Sequence, residues 1–178
     1  MDALLWLAAA CIAVAAARRW PQAGVAAVIL AAVAGLTLPD IDAAIGLGHR
    51  SGLTHSMLPA LPALFRRHWH PLAAGLAIGL GLHLAADAFP NAMTGYATVK
   101  LPFAGGIGAT ASYAWLGLNA AAATAIGVDR ILAQFGRTTA IVLLATLLIV
   151  GIGYLLRTDG GWPVLALGAL AGWLILRR

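Results

Sequence analysis

Long runs of Ala, Leu, Ile, Val and Gly, cut by arginine pairs and prolines, set the pattern of this chain. Runs that stay apolar on every side predict helices that are buried or cross a membrane, not helices with one solvated face. Seven blocks follow. The first covers residues 3–17 and ends at Arg18-Arg19-Trp20-Pro21; the second runs from about 22 to 38 and stops at Pro39. A polar, glycine-containing stretch continues to Gly52. The third block, about 53–65, is interrupted by Pro59 and Pro62 and ends at Arg66-Arg67-His68-Trp69-His70. The fourth is 71–89. A Gly/Pro-rich connection from Pro90 to about Thr110 leads to blocks at 111–128, 138–156 and 162–176, before Arg177-Arg178. The expectation is an all-α, polytopic transmembrane helical bundle of six or seven spans, the third short and proline-interrupted, forming one domain over 1–178.

Composition agrees. Of the 178 residues 62% are hydrophobic and 10% charged, and the net charge of +5 comes from basic residues that punctuate apolar runs. No basic stripe with interleaved aromatics is present, so nucleic acid is not an expected partner. A single cysteine, Cys11, excludes an intramolecular disulfide. With the N-terminus outside and seven alternating spans, Arg18, Arg19, Arg66, Arg67, Arg130, Arg137, Arg177 and Arg178 share one side; Arg50, Lys100 and Arg157 fall on the other. Positive residues mark the cytoplasmic side, which places the C-terminus there.

That topology gathers the chemistry. The chain has no glutamate and six aspartates, yet Asp40, Asp42, His49, His55, His83 and Asp87 all fall within 38–90 and at the extracytoplasmic ends of their blocks. Ionisable groups beside apolar spans are costly unless paired, hydrated or bound to metal, so they are functional-site candidates. His83 and Asp87, spaced i, i+4, share one helix face and can hold one ion or pair with each other. Asp40 and Asp42 repel when brought close, which a divalent cation relieves or which a cap and a solvated loop acid avoid. Between His49 and His55, Gly52 allows the chain to fold back, and Thr54 can cap the third span. Imidazole with carboxylate suits zinc, manganese or iron better than calcium, with one ion or two. Such a site acidifies a bound water and needs no protein nucleophile; Ser56 beside His55 is a weak alternative. Asp40, Asp42, His83 and Asp87 are the catalytic candidates within the six metal candidates. Arg50 is placed to clamp a substrate phosphate or to pair with an aspartate, and Lys100 to assist it or to anchor the interface.

Leu-Pro-Asp-Ile-Asp at 38–42, His-Arg-Ser-Gly-Leu-Thr-His-Ser at 49–56 and Gly-Leu-His-Leu-Ala-Ala-Asp at 81–87 resemble, in order, the motifs of the YdjM-like family. Its members are described as inner-membrane-associated, LexA-binding, metal-dependent hydrolases. The resemblance covers roughly residues 22–105 and implies metal and catalytic roles for the same six residues in a bacterial-type inner membrane. Two departures stand out: no histidine precedes His49, where members often carry one, and the spacing of the two motif histidines is one residue longer than in some members. A LexA link is not inferred for this chain. The expected function is metal-dependent hydrolysis, of a phosphoester in a membrane lipid or lipid-linked substrate. A cation or proton transporter and a non-catalytic membrane scaffold remain the alternatives.

Overall fold

The computed structural model describes residues 2–88, 93–157 and 163–177, without the side chains at 155 and 163–165. Arg178, Trp162 and residues 89–92, which end the fourth block and open the following connection, lie outside the described residues. The chain is helical: α1 Asp2–Ala16, α2 Gln22–Gly35, a single turn α3 Leu61–Leu64, α4 His70–Asp87, α5 Ala109–Gln134, α6 Arg137–Leu155 and α7 Pro163–Leu176. A two-residue antiparallel ribbon, β1 Lys100–Leu101 with β2 Gly105–Gly106, interrupts the connection between α4 and α5.

α4 is the axis. Every residue from Leu72 to Ala85 is buried, because α2 packs on one side and α5 on another. Small residues make this possible. A Cβ at Gly75 would run into the Val28 carbonyl and one at Gly79 into the Ala32 carbonyl, so both positions bring the α4 and α2 backbones into direct contact. On the α5 side, a Cβ at Gly81 would sit 3.1 Å from the Ala120 carbonyl, and one at Gly127 of α5 would sit 3.0 Å from the Ala74 carbonyl. These contacts fix the height of His83 and Asp87 against the end of α2.

Among the described residues, three helical stretches are long and apolar enough to cross a membrane: Arg67–Asp87, Ala109–Gln134 and Arg137–Tyr154. This corrects the expected six or seven. α1 and α2 have 15 and 14 residues, and the described apolar part of α7, Ala166–Leu176, is shorter still. At 1.5 Å per residue, 15 residues reach about 22 Å, against about 30 Å of hydrocarbon. The third block is not a helical span. Pro59 and Pro62 limit it to a 3₁₀ turn, Leu58–Ala60, followed by α3. It nevertheless covers distance: His55 lies beside His83 near the C-terminal end of α4 and His70 starts that helix, so the intervening residues return along α4 in short turns. Within that stretch Ala60 and Ala63 are buried, in one cluster with Leu72, Leu76 and Val14.

Candidate metal centre

The centre forms where three chain ends meet: the 3₁₀ turn Pro39–Asp42 after α2, the loop through His55, and the last turn of α4. Pro39 stops α2 and opens a single turn that carries both aspartates to different neighbours. Asp42 is fully buried and turns toward the loop. Its Oδ2 accepts the Ser51 backbone N–H at 2.9 Å and lies 3.3 Å from His55 Nδ1; its Oδ1 accepts from Ala43 N at 2.6 Å. Asp40, with a side chain 54% exposed, turns toward α4, its Oδ1 3.8 Å from His83 Nε2.

Each of the two central imidazoles is held by its Nδ1 and left open at its Nε2. His55 Nδ1 faces the Asp42 carboxylate, with the Thr54 hydroxyl 3.2 Å away. His83 Nδ1 lies 2.8 Å from the Leu36 carbonyl and 3.0 Å from the Tyr154 hydroxyl. The Leu36 carbonyl belongs to the unpaired last turn of α2 and can only accept, which assigns the His83 proton to Nδ1. Both Nε2 atoms are buried and have no hydrogen-bond partner among the described residues. Asp87 Oδ2 stands between them, 3.2 Å from His55 Nε2 and 3.5 Å from His83 Nε2, off the direction a hydrogen bond requires. Asp40, His55 and His83 each offer a donor atom within 4.8 Å of the others, close enough to bind a metal ion. The i, i+4 pairing of His83 with Asp87 is the one expected of a shared helix face.

The remaining predicted residues surround this group. His49 stacks on Tyr96, ring centroids 4.3 Å apart and nearly parallel, and its centroid is 6.3 Å from that of His55. It is a rim residue and not one of the three clustered donors. Burial, and next the Arg50 charge, hold its pKa below the ordinary value. Arg50 is buried at a left-handed φ of 58°; its Nη2 donates to Asp87 Oδ1 at 3.0 Å and its Nη1 to the Ala97 carbonyl at 2.7 Å, while Nε is buried with no partner. The chain reverses at Gly46, Gly48 and Arg50, all at positive φ, and not at Gly52. Gly52 instead leaves room for Leu101, whose Cδ2 would sit 2.9 Å from a Cβ there. Thr54 caps no span: it bonds the Ser51 carbonyl at 3.2 Å within the loop. Ser56 donates to the Leu53 carbonyl and accepts from Leu58 N, which engages it in the turn.

Lys100, the second substrate-binding candidate, directs its ammonium to three backbone carbonyls, His49, Tyr96 and Thr98, at 2.8–3.0 Å. With all three donors engaged, it locks the loop to the hairpin and presents none to a substrate anion. Burial, then the Arg50 charge, lower its pKa. The same hairpin clamps the loop through backbone bonds Gly52 N to Lys100 O (2.8 Å) and Lys100 N to Arg50 O (2.9 Å).

Sequence reasoning missed Tyr154, Tyr96 and the Leu36 carbonyl. Tyr154 had a signal, a lone phenol near the end of an otherwise apolar block. A backbone carbonyl at a helix end leaves no signature of its own. No protein-family model, curated protein or solved structure matches the chain.

Proposed function

We propose that this chain is a membrane-embedded, metal-dependent hydrolase acting on a phosphoester of a lipid or lipid-linked substrate. One divalent transition ion is held by His55, His83 and Asp40, with Asp87 as the fourth donor. The observation that carries the reading is the pair of buried imidazole nitrogens without partners. A buried polar atom left unpaired is costly, and two lying beside the same carboxylate are relieved together by a cation. The donor separations of 3.2, 3.5 and 3.8 Å bracket the edge of a tetrahedron, roughly 3.3 Å for bonds of 2.0–2.1 Å. Two imidazoles with carboxylates favour zinc; manganese and iron accept the same donors.

An ion there supplies an acidified water and polarises a phosphoryl oxygen. The protein does the rest. Asp42 and the Leu36 carbonyl fix the tautomer and direction of the two imidazoles. Asp40, the most exposed donor, marks the side from which substrate and water arrive. Arg50 neutralises Asp87, and its Nε, without a hydrogen-bond partner among the described residues, is a donor for an anionic substrate. Motif order like that of the YdjM-like family supports the same assignment and a place in a bacterial-type inner membrane. Orientation follows from charge: Arg67 and Arg137 stand at the helix ends opposite the centre. The positive-inside rule supports a centre on the extracytoplasmic side, with the N-terminus outside and the C-terminus in the cytoplasm.

The experiment is a panel of alkyl, glyceryl and isoprenoid phosphoesters incubated with purified protein before and after chelation. Phosphate release that chelation abolishes and zinc restores is the expected result. Release by none of the substrates in fully metal-loaded protein would refute the hydrolase reading.

A further inference from the structure

At the end of the molecule opposite the metal centre, the prolines that break the third block leave a gap. α1 packs along α2 and barely touches α4, and the broken stretch covers α4 only with short turns. Between them runs an open groove of about 370 Å³, floored by Leu72 and Leu76 of α4 and walled by Leu7 and Cys11 of α1 and by Pro59 and Pro62. Arg66 and Trp69 line its end, one to two turns before Leu72 along the chain. The Arg66 side chain is exposed and has no hydrogen bond or ion pair among the described residues. α2 and α4 run parallel, since Gly75 and Gly79 meet Val28 and Ala32 in order, so Arg18 and Arg19 of the α1–α2 turn lie at this same end. Among the described residues the one carboxylate here is Asp129, on α5, and it is engaged by Arg130 at 3.0 Å.

We propose that this groove is a binding site for a phospholipid of net negative charge, its acyl chain against Leu72 and Leu76 and its phosphate on Arg66. The inference goes beyond the hydrolase reading and rests only on the membrane embedding proposed with it. The groove is apolar along its floor and carries its guanidinium at one end, so the occupant must be an amphiphile with an anionic head. Trp69 beside Arg66 marks that end as the level of the head groups, where an indole finds both apolar and polar surroundings. The sign of the head group follows from what this end lacks. A zwitterionic lipid would bring an ammonium as well as a phosphate, and Asp129 is already paired. A lipid whose head group adds no cation matches the arginines without leaving a charge unanswered.

The test is native mass spectrometry of the full-length protein in dodecyl maltoside, with dioleoyl phosphatidylglycerol or dioleoyl phosphatidylcholine added. One phosphatidylglycerol should be retained about fivefold more tightly than phosphatidylcholine, the share of one basic side chain at a lipid surface. Arg66→Gln should erase that preference and Arg66→Lys should keep part of it. Arg137→Gln, at the same end but on α6 and outside the groove, should leave it intact. Cys11→Phe and Leu7→Trp enlarge side chains that already line the groove, and each should reduce phosphatidylglycerol retention to the level of Arg66→Gln. Equal retention of the two lipids, a preference untouched by Arg66→Gln, or a preference kept in a folded filling variant would overturn the proposal. An alkaline carbonate wash of the membranes separates the two failures. Embedded protein without the preference refutes the lipid site alone, whereas protein released by the wash refutes the embedding.

Discussion

His55 and His83 hold their Nε2 atoms 3.2 and 3.5 Å from one carboxylate oxygen, Asp87 Oδ2, and both nitrogens are buried without a hydrogen bond among the described residues. The two rings come from elements 28 residues apart in sequence and lie with centroids 5.3 Å apart. Each is oriented from behind by a different kind of acceptor, a carboxylate for His55 and a helix-terminal carbonyl for His83. The site is therefore held in shape by the ends of α2 and α4.

Asp42 stands behind His55 and outside the three clustered donors, so Asp42→Asn should weaken metal binding without abolishing it. Loss of such a supporting carboxylate lowers affinity by about 10- to 100-fold. Competition with a calibrated zinc chelator measures it. Binding as tight as in the unaltered protein would remove Asp42 from the account.

The Arg50–Asp87 pair makes a stability prediction. In metal-free protein, Arg50→Met leaves the Asp87 carboxylate without its buried guanidinium and should cost about 3 kcal/mol. That is the low end for such a loss, as Asp87 keeps 21% of its side chain open to solvent. Arg50→Met with Asp87→Asn should recover part of this, and zinc should narrow the gap for the single variant. Thermal melts in detergent, with and without metal, provide the comparison.

Gly79 and Gly117 should respond oppositely to alanine. A Cβ at Gly79 meets the Ala32 carbonyl, so Gly79→Ala must push α2 and α4 apart and cost about 1–3 kcal/mol. Nothing lies within 4 Å of a Cβ at Gly117, and Gly117→Ala should be neutral or favourable by up to about 1 kcal/mol through helix propensity. Because the α2–α4 contact sets the Leu36–His83 bond, Gly79→Ala should also loosen zinc binding, while Gly117→Ala should not.

Much of this was legible in the apolar pattern. Proline and arginine mark the ends of α2, α4 and α6 within a few residues, since each breaks or terminates a buried run. The six ionisable residues were visible for the same reason, as costly exceptions in an apolar chain. Their division of labour was not. Asp40 and Asp42 are near neighbours in sequence, but a 3₁₀ turn sends one to His83 and buries the other behind His55. His49 and Lys100 looked available until Tyr96 and three backbone carbonyls took them up. Span number was over-read because composition reports apolarity and not length: α1 and α2 are apolar but too short to cross straight.

His49 gives the pH dependence its sign. Its folded-state pKa lies below the unfolded value of about 6.5, owing first to burial and then to Arg50. The unfolded chain takes up that proton more readily, so the contribution to stability is present above pH 6.5 and is lost as pH falls through the folded pKa. His49→Gln should flatten the stability profile below pH 6.5 and leave it unchanged at pH 8. Melting temperatures across pH 5–8 measure this, and an identical acid slope in the variant would contradict it.

The central claim is tested most directly by zinc K-edge absorption on purified protein, together with elemental analysis. The account predicts one divalent ion per chain with nitrogen and oxygen donors near 2.0–2.1 Å. It also predicts the scattering signature of two imidazoles, reduced to one in His55→Ala or His83→Ala. Protein that takes up no divalent ion, or an ion whose imidazole signature is unchanged in both variants, would contradict it.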